Sequence, residues 1–380
     1  MLQNYRSPWM TEDLEQFSDQ VRRFAKEYVE PNVLKWREQK FADRAAWLKA
    51  GELGLILPSV AEQYGGSGGT VAHYVCVMQQ LNHLGSGLGL GLSHIVAHYI
   101  LDSGTETQKL HWIPRIASGE VICAVAMTEP GAGSDLQSVR TRAVKKGDTY
   151  VINGAKTFIS NGQTCDMVLV VAKTDPNAGA KGVSLFMVDT NTPGFRRGQC
   201  LEKIGMHAQD TSEMFFDEVE VPADCLLGGV EGRGFHTLMS QLAYERAQIG
   251  VNAVTIMEHA FNLTVEYTKE RTAFGKPVID FQNSRFVLAD IKATVLAAKT
   301  FADHIIQKWL DGSLDTVTAS MGKFWLTERQ GEVVDRCLQL FGGYGYMNEY
   351  PIARLYADSR IARIYGGSNE IQREVVGRSL

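Results

Sequence analysis

The stretch VICAVAMTEPGAGSD, residues 121–135, marks the point where the sequence changes from a helical pattern to a strand pattern. A continuous apolar run leads there into a turn rich in glycine. Further β-branched or alternating runs follow, separated by Gly, Asn, Asp and Pro, and they end near Leu227. These runs read TYVINGAKTFIS, MVLVVAKT, GVSLFMVDT and EMFFDEVEVP. The pattern is typical of an antiparallel sheet domain, which we place at residues 121–228.

Helical periodicity flanks this sheet on both sides. From Thr11 onwards apolar residues recur at spacings of three and four, and Thr11 before Glu12 and Asp13 is typical of a helix N-cap. After GVEGRG the helical period returns and holds to the end, with no strand signal of weight. We therefore predict an α+β fold with an N-terminal helical domain at 1–120 and a C-terminal helical bundle at 229–380.

The composition is that of an ordinary globular protein, with 44% hydrophobic and 21% charged residues. A net charge of −5 gives no reason to expect nucleic acid as a partner. No stretch reaches the roughly 18–20 apolar residues of a membrane span, and MLQNYRSPWM resembles no signal or transit peptide. The cysteines lack any C-x-x-C spacing, which argues against a zinc ribbon or a disulfide framework. We expect an intracellular protein, cytoplasmic in a bacterium or a mature protein of the mitochondrial matrix.

The loop AMTEPGAGSD, residues 126–135, is the first chemical signal. Its glycines let backbone N–H groups approach a ligand, and its hydroxyls add donors. A decorated hairpin without a ligand accounts for the loop equally well. No G-x-G-x-x-G follows a strand here, so the loop is not a dinucleotide fingerprint of the Rossmann type.

Taken with four other motifs, the loop makes the whole chain resemble the acyl-CoA dehydrogenases. These are flavoenzymes with helical, β and helical domains in that order. The matching motifs are AMTEPGAGSDLQS (126–138), TFISNG (157–162), RTAFGKPVIDFQ (271–282), QLFGGYGYMNEYPIARLYAD (339–358) and IYGGSNEI (364–371). The resemblance implies FAD as cofactor and an acyl-CoA as substrate.

The resemblance also implies which residues hold the flavin ring. They are Val125, Ala126, Met127, Thr128, Gly133, Ser134, Phe158, Ile159 and Ser160. The hydroxyls of Thr128 and Ser160 would donate hydrogen bonds to a ring that gains negative charge on reduction. Phe158 would lie along the flavin, although its spacing fits one more aromatic residue of a β core equally well.

A second set of residues matches those that contact the adenosine and pyrophosphate end of FAD bound to a neighbouring subunit. This set is Arg271, Phe274, Gln282, Gln339, Leu340, Phe341, Gly342 and Gly343. Ser368, Asn369 and Glu370 would close over the flavin side. An arginine suits a pyrophosphate because its forked donors match two oxygens. A shared flavin site requires at least a dimer, and members of this family are commonly homotetramers.

Dehydrogenation of a thioester needs a base for the weakly acidic α proton, and a carboxylate in a dry place suits this role. In many family members the glutamate follows the pair IY, but this chain has Gly366 there. Glu245 falls on a helical stripe with Leu238, Leu242 and Ile249. From the helix alone, a distant basic partner or access to solvent explains Glu245 better than a catalytic role does. The resemblance to the long-chain branch, whose base lies on this helix before an arginine, assigns Glu245 as the catalytic base.

By the same resemblance, the residues that contact the acyl-CoA are Ser134, Lys181, Tyr244, Arg246, Gly366 and Gly367. The backbone N–H of Gly366 would donate to the thioester carbonyl and so acidify the α proton. The product would be a trans-2-enoyl-CoA, and the electrons would pass to an electron-transferring flavoprotein. Glu370 is a second acid near this turn and a poorer base candidate.

Other interpretations stay open at this point. One is an oxygen-reactive flavin oxidase of the same fold, and another is a non-catalytic protein that binds acyl-CoA or flavin. His94 and His98 stand four apart, but no H-E-x-x-H pattern or third ligand accompanies them, so we predict no metal. The acyl chain length is undetermined, because glycines from Gly85 to Gly91 can leave a deep tunnel or mark tight helix packing.

Overall fold

The computed structural model describes residues 5–380, and the first part of it is helical. The predicted N-cap is confirmed, since the Thr11 Oγ1 atom accepts a hydrogen bond from the Leu14 N–H at 3.3 Å. Acidic residues of the first turn complement the positive end of the helix. The helices of this part are α1 (Glu12–Phe24), α2 (Val33–Gln39), α3 (Arg44–Glu52), α4 (Val71–Leu81), α5 (Leu90–Ser103) and α6 (Glu106–Ala117).

A seven-stranded sheet follows within the described part of the chain, in the spatial order β1-β4-β2-β3-β7-β6 with β5 beside β4. Its strands are β1 (Cys123–Ala126), β2 (Arg142–Lys146), β3 (Thr149–Ser160), β4 (Met167–Lys173), β5 (Val183–Asp189), β6 (Phe195–Cys200) and β7 (Thr211–Pro222). Strands β4 and β5 are buried on both faces, which explains their continuous apolar sequences.

The sheet is mixed, whereas the sequence predicts antiparallel pairing. Strand β1 runs parallel to β4, with Cys123 opposite Met167, and β2 meets β4 in one further parallel pair. Parallel neighbours need a long connection. The chain provides it here, because the glycine-rich loop and the β2–β3 hairpin lie between β1 and β4. The other strand pairs are antiparallel.

The chain then returns to helices, of which three are long and pack side by side. They are α7 (Gly234–Glu270), α8 (Gln282–Leu310) and α9 (Thr316–Leu340), followed by α10 (Pro351–Ser359) and α11 (Asn369–Gly377). A two-stranded ribbon, β8 (Thr272–Ala273) with β9 (Lys276–Pro277), interrupts them. The sequence analysis does not predict this ribbon, because strands of two residues are too short to show an alternating pattern.

Two hydrophobic cores hold these parts together. One lies between α1–α6 and the sheet and includes Trp36, Ile100 and Val170. The other lies among α7, α8 and α9 and reaches Tyr74 and Cys76 on α4. Each fully buried aliphatic side chain contributes about 1.5–3 kcal/mol relative to exposure. Within residues 5–380, no helix is long and apolar enough to cross a membrane.

Candidate active site

A cavity of about 370 Å³ opens where α4, α5 and α7 meet the end of the sheet and the turn before α11. It brings together eight of the residues predicted from the sequence. These are Val125, Met127, Thr128, Phe158, Ile159, Ser160, Glu245 and Gly366. Residues that lie more than 200 positions apart in the sequence therefore line one cavity.

Phe158 is held in a strained backbone conformation at the mouth of this cavity. Its φ is +59°, and it lies at a bulge of β3 between Lys156 and Ile159, where the register with β7 shifts. Bulges redirect side chains near functional sites. The Phe158 ring is 67% exposed rather than packed in the sheet core. Of the two interpretations that the sequence leaves open, this position favours contact with a ligand.

Thr128 and Ser160 line the cavity, and neither hydroxyl forms a hydrogen bond with another group among the described residues. The loop that carries Thr128 is fixed from behind by Glu129. The Glu129 carboxylate accepts hydrogen bonds from the buried Lys156 ammonium at 2.8 Å and from the Thr141 hydroxyl at 2.6 Å. Lys156 also donates to the Met127 carbonyl at 3.1 Å. The free hydroxyls and the rigid loop fit the oxygen and nitrogen edge of a flavin.

Glu245 lies on α7 and lines the cavity. Leu238, on the apolar stripe predicted from the sequence, is fully buried on the same helix. The Tyr99 hydroxyl on α5 donates a hydrogen bond to this carboxylate. Burial raises the pKa of Glu245 from 4.5 to about 7, while the Tyr99 hydrogen bond and the charge of Arg246 oppose the increase. A carboxylate with this pKa accepts a proton effectively at neutral pH.

Arg246 and Tyr244 lie behind Glu245 rather than along the main cavity. The Arg246 side chain is buried and donates to the Ser320 hydroxyl at 3.1 Å on α9. Tyr244 faces Trp309 at a ring distance of 5.7 Å and lines a small void of about 10 Å³. That void is about the size that one water needs. Their contact with substrate stays a prediction.

His94 and His98 border the same small void and contact each other. Their Nε2 atoms are 3.3 Å apart, and the His94 ring stacks on Tyr74 at 3.5 Å. Burial, together with the neighbouring His98, lowers the pKa of His94 well below its usual value. Within residues 5–380, no three His, Cys, Asp or Glu side chains are grouped as metal ligands.

The turn at Gly366 and Gly367 has two consecutive residues in the left-handed region, with φ of +64° and +80°. A Cβ on Gly366 would come within 2.3 Å of the Ile249 Cδ1 atom. The positive φ favours glycine there, and an added side chain would also have to move the end of the Ile249 side chain on α7. Any side chain at this position, a glutamate included, would have to displace Ile249.

The glycines from Gly85 to Gly91 lie at the cavity, and one of them also permits close packing. Gly85, Gly87, Gly89 and Gly91 all line the cavity. A Cβ on Gly87 would nevertheless lie 1.9 Å from the Ala208 carbonyl oxygen, so this residue also permits close packing. Met78 and Leu81 of α4 extend the apolar wall beside them.

A second groove, of about 580 Å³, lies on the C-terminal bundle and shares no lining residue with the cavity. It brings together five predicted residues, namely Arg271, Leu340, Phe341, Gly342 and Gly343. The Arg271 guanidinium lies over the Tyr344 ring at 5.5 Å. The two sets of residues predicted for the flavin site therefore line separate concavities of this chain.

Other predicted residues lie outside both concavities. Ala126 is buried in the sheet, and Asn369 is buried against α9. Gly367 and Ser368 lie in the turn before α11 and are partly buried. The exposed residues of this group are Gly133, Ser134, Lys181, Phe274, Gln282, Gln339 and Glu370. Their roles stay predictions.

Three residues that the sequence analysis does not single out belong to the site. Tyr99 contacts Glu245, Lys156 fixes the Thr128 loop, and Lys323 donates to the Gly367 carbonyl at 2.9 Å. Lys156 can be noticed in the sequence, because a lysine within the strand run TYVINGAKTFIS needs a partner. Tyr99 and Lys323 give no such signal, because their roles depend on helices that meet only in the folded chain.

The fold thus places a helical part, a sheet and a second helical part, in chain order, around a cavity lined by the Glu245 carboxylate and the unpaired hydroxyls of Thr128 and Ser160. The N-terminal, middle and C-terminal domain models of acyl-CoA dehydrogenase match residues 11–120, 124–219 and 232–380. The chain belongs to the acyl-CoA dehydrogenase family.

Similar proteins occur in animals and bacteria. The mitochondrial long-chain specific acyl-CoA dehydrogenase of Sus scrofa is 44% identical over 96% of this chain and 85% of its own length. An acyl-CoA dehydrogenase of Bacillus subtilis is 39% identical over 87% of this chain and 88% of its own.

Solved structures show the same fold. An acyl-CoA dehydrogenase of Geobacillus kaustophilus superimposes with a TM-score of 0.96 at 44% identity, over 98% and 99% of the two chains. A structure described as the electron transferring flavoprotein of Acidaminococcus fermentans gives 0.94 at 35% identity, over 98% and 99%. A glutaryl-CoA dehydrogenase of Mycobacterium smegmatis in complex with FADH2 gives 0.91 at 28% identity, over 97% and 95%.

Proposed function

We propose that this protein is an FAD-dependent dehydrogenase that converts a long or branched acyl-CoA into the trans-2-enoyl-CoA. Glu245 removes the α proton in this proposal. The observation that supports it best is the place of Glu245, whose burial raises its pKa to about 7 at the wall of the cavity that Thr128 and Ser160 also line. FAD, when bound, supplies the acceptor for the β hydride.

The rest of the site suits this reaction. Thr128 and Ser160 would hold the flavin ring through their free hydroxyls, and Phe158 would pack along it. The Gly366 N–H forms no hydrogen bond among the described residues, so it is available to the thioester carbonyl. A donor at that oxygen stabilises the negative charge that develops as the α proton moves to Glu245.

A long or branched acyl chain is favoured by the walls of the cavity. Side chains are absent at the glycines from Gly85 to Gly91, and the wall beyond them is apolar. The similarity to long-chain enzymes supports the same assignment.

The protein partners are also proposals. We infer a homo-oligomer, a tetramer by family likeness, whose subunits complete one another's FAD sites through the groove at Arg271 and Gly342. An electron-transferring flavoprotein would then accept the electrons.

The compartment would be the bacterial cytoplasm or the mitochondrial matrix, since relatives from bacteria and mitochondria both match.

The decisive experiment is anaerobic bleaching of the flavin absorbance by acyl-CoAs from C4 to C18 and by branched chains. Glu245→Gln should retain FAD but bleach at least about 100-fold more slowly, because general base catalysis contributes that much or more. Glu220→Gln is the control, since Glu220 is an exposed acid on β7 that lines neither the cavity nor the second groove. Undiminished bleaching in Glu245→Gln would remove the base assignment. Bleaching by no acyl-CoA would support a binding protein, and rapid reoxidation by oxygen would support an oxidase.

A further inference from the structure

The turn before α11 is held by its carbonyl groups. The Gln372 side-chain amide donates to the Gly366 carbonyl at 3.2 Å and to the Gly367 carbonyl at 3.0 Å. The Lys323 ammonium donates to the Gly367 carbonyl as well, at 2.9 Å. The N–H groups of both glycines form no hydrogen bond within residues 5–380. The turn is thus fixed on its acceptor side, and its donors stay available.

Lys323 is an unusual residue to find in this place. Its side chain is fully buried on α9, and its ammonium also donates to the Asn369 Oδ1 atom at 2.8 Å. Both partners are neutral oxygens. No carboxylate forms an ion pair with Lys323 in the described part of the chain, although Glu370 and Glu328 act on it from a greater distance. Burying a charge without a paired countercharge is expensive.

A purely structural role does not account for this cost. Gln372 already holds both carbonyls, and a neutral amide could hold Asn369. The buried Arg246 guanidinium adds a second positive charge close to Lys323 and opposes its protonation. The charges of Lys323 and Arg246 favour a group that becomes negative on the other side of the turn, and the carboxylates of Glu370 and Glu328 reduce this effect.

We propose that Lys323 is a positioning residue for α-proton removal, and this inference rests on the proposed function. Its ammonium fixes the Gly367 carbonyl, and so aims the free Gly366 N–H at the thioester oxygen. Its charge, with that of Arg246, stabilises the enolate-like oxygen. The α proton passes to the Glu245 carboxylate, and the electron pair of the broken C–H bond is delocalised onto that oxygen, so no further reactant is needed.

The test compares Lys323→Met, Lys323→Gln and Gln372→Met with the wild-type holoenzyme. The rate of flavin bleaching is measured with the acyl-CoA that bleaches wild type fastest. The affinity of each enzyme for a ligand without the thioester carbonyl is measured with an alkyl-CoA thioether. Acetoacetyl-CoA, whose α carbon is acidic, reports enolate stabilisation through the pH at which its bound enolate absorbance appears. The Gln372 variant is the matched control, because it removes hydrogen bonds to the same turn but no charge.

We expect both Lys323 variants to bleach roughly 10- to 100-fold more slowly, as the loss of oxyanion stabilisation predicts. Thioether binding should stay within about twofold, and the bound enolate should need a pH about one unit higher to form. Gln372→Met should lower Tm and shift the enolate titration by less than either Lys323 variant, because it loosens the same turn but leaves the charge in place. Unchanged bleaching, or an unchanged enolate titration in the Lys323 variants, would overturn the inference. A wild type that no acyl-CoA bleaches would overturn the proposed function instead.

The wild type alone provides a test that does not depend on a variant that folds. Burial lowers the pKa of Lys323 to about 8, with Glu370 and Glu328 opposing and Arg246 adding to the decrease. The bleaching rate should therefore fall above about pH 8, as the ammonium loses its proton. A rate that stays level from pH 8 to pH 10 contradicts a role for the charge.

Discussion

The Tyr99 hydroxyl donates a hydrogen bond to the Glu245 carboxylate across the contact between α5 and α7. Burial and this hydrogen bond act on the carboxylate in opposite directions. Burial raises the pKa of Glu245 to about 7, and the Tyr99 hydrogen bond stabilises the ionised form and limits the increase. Tyr99 therefore keeps Glu245 ionised in enough molecules at neutral pH to act as a base.

Tyr99→Phe is expected to move the pH dependence of bleaching upwards. Loss of the hydrogen bond raises the pKa of Glu245 further, and the protonated acid cannot accept the α proton. A hydrogen bond to a charged group is worth about 1.5–3 kcal/mol, so the acidic limb should shift by about 1–2 pH units. Tyr74→Phe is the control, because the Tyr74 hydroxyl donates to Gln248 at 2.9 Å and not to Glu245. An acidic limb at the wild-type position would mean that Tyr99 does not tune the base.

Much of this architecture follows from sequence patterns, because they reflect local rules. Spacings of three and four identified the helices, and Thr11 marked the start of α1. The parallel pairing of β1 with β4 could not be predicted, since register between distant strands depends on the connection and not on local pattern. Glu245 is identifiable from the sequence as a candidate, because an acid on an apolar stripe needs a partner or a role. Its partner Tyr99 is 146 residues away, and only the folded chain brings them together.

Lys156→Met is expected to destabilise the enzyme and release flavin. The Lys156 side chain is fully buried, and its removal leaves the Glu129 carboxylate buried without its cation. Such a broken pair costs about 3–5 kcal/mol. The loop of Met127 and Thr128 also loses a hydrogen bond of 3.1 Å. The measurements are Tm and the ratio of flavin to protein absorbance after gel filtration.

A double variant separates charge from packing at this site. Lys156→Met with Glu129→Gln removes both charges, so it should recover part of the lost Tm. If the double variant recovered none of the lost Tm, the hydrogen bond from the Lys156 ammonium to the Met127 carbonyl, and not the ion pair, would set the stability.

Phe274→Asp is expected to separate the subunits and lower FAD retention together. The Phe274 side chain is 96% exposed on the β8–β9 ribbon, and Phe286, Tyr346 and Met347 are exposed too. Large exposed apolar side chains in this number are typical of a protein interface. A central anchor contributes about 2–4 kcal/mol, so dissociation should become easier by roughly 100-fold. Light scattering gives the mass, and flavin absorbance gives the occupancy.

Leu110→Asp is the control for this change, because Leu110 is 54% exposed on α6, far in sequence from the groove. It should alter neither mass nor flavin content. If Phe274→Asp separated the subunits but full flavin occupancy remained, the result would contradict a shared FAD site. The proposal of a homo-oligomer would still stand.

Gly366→Ala tests why this position has no side chain. A Cβ there meets the Ile249 Cδ1 atom at 2.3 Å, and a φ of +64° costs an L-residue roughly 1–2 kcal/mol. We expect a lower Tm and a kcat/KM reduced about tenfold, because the turn must move its free N–H. Adding Ile249→Val removes the clashing Cδ1 atom and should restore activity but not the backbone cost. Gly147→Ala is the matched control, since Gly147 has a φ of +61° with open space around it and should lose stability alone. If Gly366→Ala behaved like Gly147→Ala, the Gly366 N–H would not serve the substrate.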